Sequence, residues 1–315
     1  MARPVHLVPL LLGLSLSLAS CRIVAPTNPT SNRPRVVSTS TIIADLTLQV
    51  GGDAIEHTGI LTPGADPHVY EPVPQDSIAF EQAALIFYNG YNLEPALIRL
   101  LESAGVSAER VAVGERVEPL DLDVGNQPVP DPHVWGDVEN AITMVETIRD
   151  ELSELAPENT ATFRANAAAL IRDLERLDTW IATQIATIPV QQRYLVTTHD
   201  AFQYYAIAYG LVITGTLIGI STEEQPSAQT VSQLVDDIRA AGVPAIFAET
   251  TINPALIRTV AEEAGVELAA QELYSDSLGA PGSAGDSYVK MLVANTQTIV
   301  EALGGDYEPF ADIAE

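Results

Sequence analysis

Five histidines occur in the 315-residue chain, at positions 6, 57, 68, 133 and 199, and the last three stand where imidazoles can do chemistry. His68 closes the run Pro63-Gly64-Ala65-Asp66-Pro67-His68, just after an expected strand. His133 lies in Asp131-Pro132-His133-Val134-Trp135, at the end of a proline-rich loop. His199 lies in Leu195-Val196-Thr197-Thr198-His199-Asp200, at the carboxyl end of a strand where a helix opens. Asp-Pro-His thus occurs twice, and its proline restricts the backbone beside the imidazole. Neutral imidazole is the commonest side-chain ligand for first-row divalent ions. Taken singly, each histidine reads as structural; three at such loops in so histidine-poor a chain point to a shared metal site. Separations of 65 and 66 residues are far too long for a local finger, so the site must form between distant segments. A fourth, carboxylate ligand is expected from the later part of the chain, with Asp200, Glu249 and Asp276 as candidates. Residue type and position do not choose between Glu249 and Asp276. His57, in Ala54-Ile55-Glu56-His57-Thr58, belongs to no motif and is expected at a surface or strand edge.

The elements that must position these residues alternate short β-rich runs with amphipathic segments, the pattern of an α/β fold with parallel sheets. Strands are expected at 35–38, 58–61, 84–88 and 110–113, with helices at 41–50, 76–83 and 94–104. The Pro- and acid-rich stretch 118–132 reads as a loop, and 138–155 as a helix. A second set follows, with strands at 194–197, 212–217, 245–248 and 266–270 and helices at 201–209, 228–241, 254–263 and 286–303. In parallel sheets ligands bind beyond the carboxyl ends of strands, where His68 and His199 fall. The chain therefore divides into two similar α/β lobes, 36–156 and 190–315, joined by one long helix over 157–189. In that segment Phe163, Ala167, Leu170, Leu174, Leu177, Ile181, Ile185 and Ile188 are spaced 4, 3, 4, 3, 4, 4 and 3. This periodicity is helical and predicts a rod of roughly 45 Å. Two ligands from the first lobe and two from the second would hold the ion between lobes. Opening of the lobes would then draw His199 and the second-lobe carboxylate away from His68 and His133.

Residues 1–20, with one cation at Arg3 and an apolar stretch from Val5 to Leu18, read as a secretory signal peptide. The tetrad Leu18-Ala19-Ser20-Cys21 looks like a lipobox, making Cys21 the lipidated mature N-terminus. It is the only cysteine, so no internal disulfide can form. Residues 21–35 complete a lipidated, Pro-rich flexible tether. Lys and Arg number 15 against 42 Asp and Glu, a net charge of −27, which excludes nucleic acid as a partner for want of clustered cations. No later apolar run reaches the ~18 residues of a membrane span.

These residues resemble the metal-binding solute-binding lipoproteins of bacterial ABC importers, the zinc/manganese group that includes TroA-like proteins. The segments that carry the resemblance are 62–72, 131–135, Thr198-His199-Asp200-Ala201-Phe202 with Tyr209-Gly210, and Tyr274-Ser275-Asp276-Ser277-Leu278. Together they cover essentially the whole mature chain. The resemblance implies ligation by His68, His133, His199 and Asp276, with Glu249 behind them orienting a histidine. It implies Zn²⁺ or Mn²⁺ as transported cargo, and delivery to a permease and its ATPase by a monomer lipid-anchored on the extracytoplasmic side. The third ligand position in this group is commonly His or Glu, and here it is His199. The His-rich acidic loop of zinc-specific members is absent: residues 114–132 hold acids but no histidine. Three imidazoles and one carboxylate favour zinc over manganese, which prefers more oxygen ligands. A zinc-dependent hydrolase is the alternative, with Asp276 as base, although no HExxH motif occurs. A surface adhesin of the same family is a third reading, compatible with the first.

Overall fold

The computed structural model describes residues 1, 2, 4, 33–103, 107–124 and 127–311. The expected lipidation site Cys21, most of the signal segment and the tether through residue 32 lie outside the described residues. The folded body begins with β1 (Arg35–Ser38), α1 (Thr41–Gly51), β2 (Glu56–Gly59), α2 (Pro74–Gln82), β3 (Leu85–Tyr88), α3 (Pro95–Ser103) and β4 (Glu109–Ala112). The four strands form one sheet in the order β2-β1-β3-β4, with every pairing parallel. Val36, Val37, Leu85, Ile86 and Phe87 are buried, as strands covered by helices on both faces must be. Ser40 caps α1 by accepting the Ile43 amide, and the helix buries Ile42, Ile43, Leu46 and Val50.

Residues 118–132, expected as a loop, contain instead the antiparallel hairpin β5 (Asp121–Val124) and β6 (Gln127–Pro130). Pro128 and Pro130 hide the strand from a propensity reading. A two-stranded ribbon tolerates them because each of its strands keeps a free edge. Next come α4 (Val138–Leu155) and α5 (Thr160–Thr187), the long helix, of 28 residues. Pro157–Asn159 form a separate 3-10 turn before it. Seven of the eight predicted apolar positions fall in α5 and the eighth, Ile188, directly follows it; all are buried, the stripe that a helix packed along one face requires.

The later half repeats the plan with β7 (Tyr194–Thr197), α6 (Gln203–Tyr209), β8 (Val212–Thr216), α7 (Ala228–Ala241), β9 (Ala245–Ile246), α8 (Ala255–Ala264), β10 (Glu267–Leu268) and α9 (Tyr288–Ala302). β7 pairs in parallel with β8, and β9 with β10. The Phe247 amide bonds the Val196 carbonyl and joins the pairs, so the strands run β8-β7-β9-β10, matching the first sheet. An isolated parallel bridge between Glu249 and Leu273 links the segments that follow β9 and β10. Gly242 and Gly265, in the left-handed region at φ 65° and 76°, stop α7 and α8.

The apolar interior has an uneven partition. One continuous core threads α1, α4, α5, α6 and α9, through residues such as Leu46, Val145, Leu174, Tyr205 and Ile299. A separate core lies under α7 and α8, built from Leu234, Ile238, Ile257 and Val260 with Val196 and Ile246 of the second sheet. Among the described residues no helix is long and apolar enough to cross a membrane.

Candidate metal centre

His68 lies in the loop between β2 and α2, where Asp66 Oδ1 accepts its backbone N–H at 2.9 Å. His133 follows β6, and Asp131 Oδ1 accepts both its backbone N–H (3.0 Å) and its Nδ1–H (2.7 Å). His199 follows β7 and is held in the same way by a residue 50 positions away. Glu249 Oε1 accepts its backbone N–H at 2.8 Å, and Glu249 Oε2 lies 2.5 Å from Nδ1. A carboxylate on Nδ1 fixes the tautomer and turns the Nε2 lone pair outward, toward an ion. Asp276 arrives on the loop after β10.

These four side chains converge. One ligating atom from each of His68, His133, His199 and Asp276 lies within 4.8 Å of the others, and all four residues are buried. His68 Nε2 is 3.2 Å from His133 Nε2. Asp276 Oδ1 is 3.4 Å from His133 Nε2, and its Oδ2 is 3.1 Å from His199 Nε2. A tetrahedral ion with bonds of 2.0–2.1 Å has ligand atoms about 3.3 Å apart along each edge. The three measured separations sit around that value. Beyond these approaches, His199 Nε2 and both Asp276 oxygens make no hydrogen bond among the described residues, although they are sealed from solvent. Buried polar atoms left in this way are costly unless a ligand satisfies them.

The titration of the cluster follows from its charges. Burial opposes a charge on His133, but Asp131 and Asp276 outweigh it and raise its pKa to about 9. Burial opposes a charge on His199 too, and Asp276 and Glu249 overcome it, holding the imidazole well above its ordinary value. Burial likewise works against an ionised Asp276, yet the neighbouring His199 and His133 hold it well below the usual carboxylate range. His68, with no ion pair among the described residues, is lowered to about 3 by burial. The cage favours positive charge at its centre, which a divalent cation supplies.

Of the three acids considered for the fourth position, only Asp276 joins the cluster. Glu249 stands behind His199. Asp200 accepts a bond from Gln203 and lines a cleft of about 330 Å³ that opens beside His68. His57 is on the outer strand β2, bonded to Ser38 Oγ and apart from the cluster. Two supporting residues had no role assigned by motif reading. Asp131 was visible only as the first letter of its Asp-Pro-His triplet. Trp135 packs edge-on against His133 and donates its indole N–H to the Ser275 carbonyl, next to Asp276.

The family of the periplasmic component A of the zinc-uptake complex, ZnuA, matches residues 36–302. The chain belongs to this family. It is 35% identical over 269 residues to the manganese-binding lipoprotein MntA of Halalkalibacterium halodurans, covering 85% of this chain and 88% of that one. It is 32% identical over 301 residues to the manganese ABC transporter substrate-binding lipoprotein PsaA of Streptococcus pneumoniae, covering 93% and 96%. Among solved structures, the periplasmic zinc-binding protein TroA of Treponema pallidum superposes with a TM-score of 0.82 at 32% identity, covering 86% of this chain and 99% of that one. ZnuA-type proteins are substrate-binding components of ABC importers rather than enzymes, so their partners are a permease and its ATPase. The α/β fold with parallel sheets and a long helix is the one TroA has.

Proposed function

We propose that this chain captures a divalent transition-metal ion outside the membrane and hands it to an ABC permease. His68, His133, His199 and Asp276 are the ligands, and Glu249 and Asp131 orient two of the imidazoles. Segments 36–156 and 190–315 act as lobes on either side of the ion, bridged by α5. The observation that carries this reading is the buried cluster of three imidazole nitrogens and a carboxylate within 4.8 Å of one another, three of whose separations match a tetrahedral edge, with His199 Nε2 and both Asp276 oxygens lacking a hydrogen bond among the described residues. A donor set of three nitrogens and one carboxylate favours zinc, with manganese next; manganese also sits at the weak end of the divalent affinity series. Relatives named for each metal bracket that choice. Cys21 carries the lipid that keeps the protein, as a monomer, at the extracytoplasmic membrane face.

Elemental analysis of protein purified without chelator tests the reading, followed by competition between zinc and manganese. One ion per chain is expected, with zinc displacing manganese. His68→Ala, His133→Ala and His199→Ala should each weaken binding by orders of magnitude with the fold retained. A chain that binds neither metal stoichiometrically sinks the proposal. Unchanged membrane fractionation of Cys21→Ser removes the anchor.

A further inference from the structure

Chain position assigns Asp276 to the later half of the protein, together with His199, but the hydrogen bonds of its neighbours Ser275, Ser277 and Leu278 tie it to the earlier half. The Ser275 carbonyl accepts the Trp135 indole N–H at 3.0 Å. Ser277 Oγ lies 3.2 Å from Thr41 Oγ1 and accepts the Gly64 amide at 2.8 Å. The Leu278 amide donates to Thr41 Oγ1 at 2.9 Å, and its carbonyl accepts from Gly64 at 3.1 Å. Asp276 is therefore flanked on both sides by residues bonded to α1, to the His68 loop and to the His133 segment. Helix α9 follows suit: the Tyr288 amide donates to Asp45, and its hydroxyl to the Trp135 carbonyl.

His199 is anchored differently. Its amide and Nδ1 go to Glu249, its carbonyl accepts from Thr197, and the next amide, of Asp200, donates to the Gly219 carbonyl. All of these partners belong to the second sheet or its loops. One face of that sheet, through Val196 and Ile246, encloses an apolar core of its own with α7 and α8, while the other face sends Leu195 and Phe247 into the core that α1, α5 and α9 share. The boundary between the two bodies crosses the chain at 274–275, because Leu273 still bridges to Glu249 while the Ser275 carbonyl already bonds Trp135, its Oγ keeping one long 3.5 Å contact to Thr251 Oγ1 on the other side.

Resting on the metal-capture reading above, the geometry points to His199 as the single ligand withdrawn on release, with His68, His133 and Asp276 staying together as a three-ligand remnant. The moving part is the second sheet with α7 and α8. A division of two ligands on each side, expected from chain position, gives way to three against one. The remnant keeps a carboxylate and two imidazoles but opens one face of the ion, where a ligand from the permease can replace His199. A stepwise exchange of this kind never strips the ion to water, which would be costly in a buried site.

Spin-label distances on the full chain with Cys21→Ser test this assignment. One label sits on α1 (Gln49→Cys), paired in turn with Gln233→Cys on α7, Glu262→Cys on α8 and Ala280→Cys just beyond Leu278. Each protein is loaded with zinc, checked for one ion per chain, and then stripped with EDTA. The α7 and α8 distances should shift or broaden by at least about 2 Å, the withdrawal that turns a ~2.1 Å bond into no contact. The distance to residue 280 should hold. Movement of residue 280 together with α7 and α8, or movement of none of the three, overturns the assignment while stoichiometric zinc leaves the capture reading intact. Failure to load zinc at all overturns both.

Discussion

Glu249 never touches the ion in the proposed arrangement, and its replacement isolates what orientation alone contributes to affinity. Glu249→Gln keeps the shape of the side chain but has one acceptor oxygen where His199 needs two, one for its amide and one for Nδ1. If the amide oxygen serves the backbone N–H, its NH₂ faces Nδ1 and favours the tautomer with the proton on Nε2, which removes the lone pair a metal needs. If it serves Nδ1, two donors meet at the backbone in a site sealed from water. Loss of such a support typically weakens metal binding 10–100-fold, or about 1.4–2.7 kcal/mol. Competition against a chromophoric zinc chelator at pH 7 reads this directly, with circular dichroism confirming the fold. The cycle is closed by repeating the substitution in a His199→Ala background. There Glu249→Gln should cost no further affinity, because the imidazole it serves is gone. A Glu249→Gln protein with parental affinity, or an equal loss in both backgrounds, refutes the orienting role.

His57→Ala should leave zinc affinity unchanged, since His57 bonds Ser38 on the edge of the first sheet; a loss comparable to that of His68→Ala would undo the ligand assignment. Burial lowers the His57 pKa to about 4, so its share of stability is present above ~6.5 and lost as pH falls toward 4; urea titrations at pH 7 and 4.5 should show a smaller acid-induced loss in the alanine variant. Glu94 has the opposite sign: burial raises it to about 7, despite bonds from the Asn89 amide and Thr39. Its contribution is full below ~4.5 and declines by about 3 kcal/mol as pH climbs through 7, and Glu94→Gln should flatten that part of the stability profile. Leu174→Ala, in the middle of the buried stripe of α5, should cost about 2–5 kcal/mol in denaturant unfolding while zinc affinity in the folded protein stays the same.

Local chemistry made much of the fold legible. The strand at 35–38, the helix at 138–155 and the stripe along α5 follow from a β-rich run, an amphipathic segment and 3.6-residue periodicity, and the structure contains each of them. The hairpin at 121–130 was illegible because its prolines argue against strands and only an isolated ribbon excuses them. For the site, the three histidines stood out by position, and the structure brings them together with Asp276. The choice of Asp276 over Glu249 was not readable from residue type, because both acids follow strands of the same sheet. What separates them is tertiary: Glu249 is turned toward His199 Nδ1, while the Trp135 and Thr41 bonds carry the Asp276 loop across to His68 and His133.

The repeated Asp-Pro-His triplet shows how far a motif can be trusted. In both copies the aspartate accepts the amide of its histidine, the local turn that the spacing dictates. The remaining bonding capacity diverges. Asp131 spends Oδ1 again on His133 Nδ1, whereas Asp66 Oδ2 accepts the Thr222 hydroxyl at 2.6 Å, from the loop beyond β8. One copy therefore orients its imidazole, and the other ties the His68 loop to the body that carries His199. That tie spans the boundary inferred above, so a swing of the second sheet has to break it, at a net cost of about 1 kcal/mol. Such a bond is strong enough to bias the closed arrangement and weak enough for a docked permease to overcome. The same three letters thus serve binding in one place and closure in the other, a difference set by what the surrounding fold places within reach of each carboxylate.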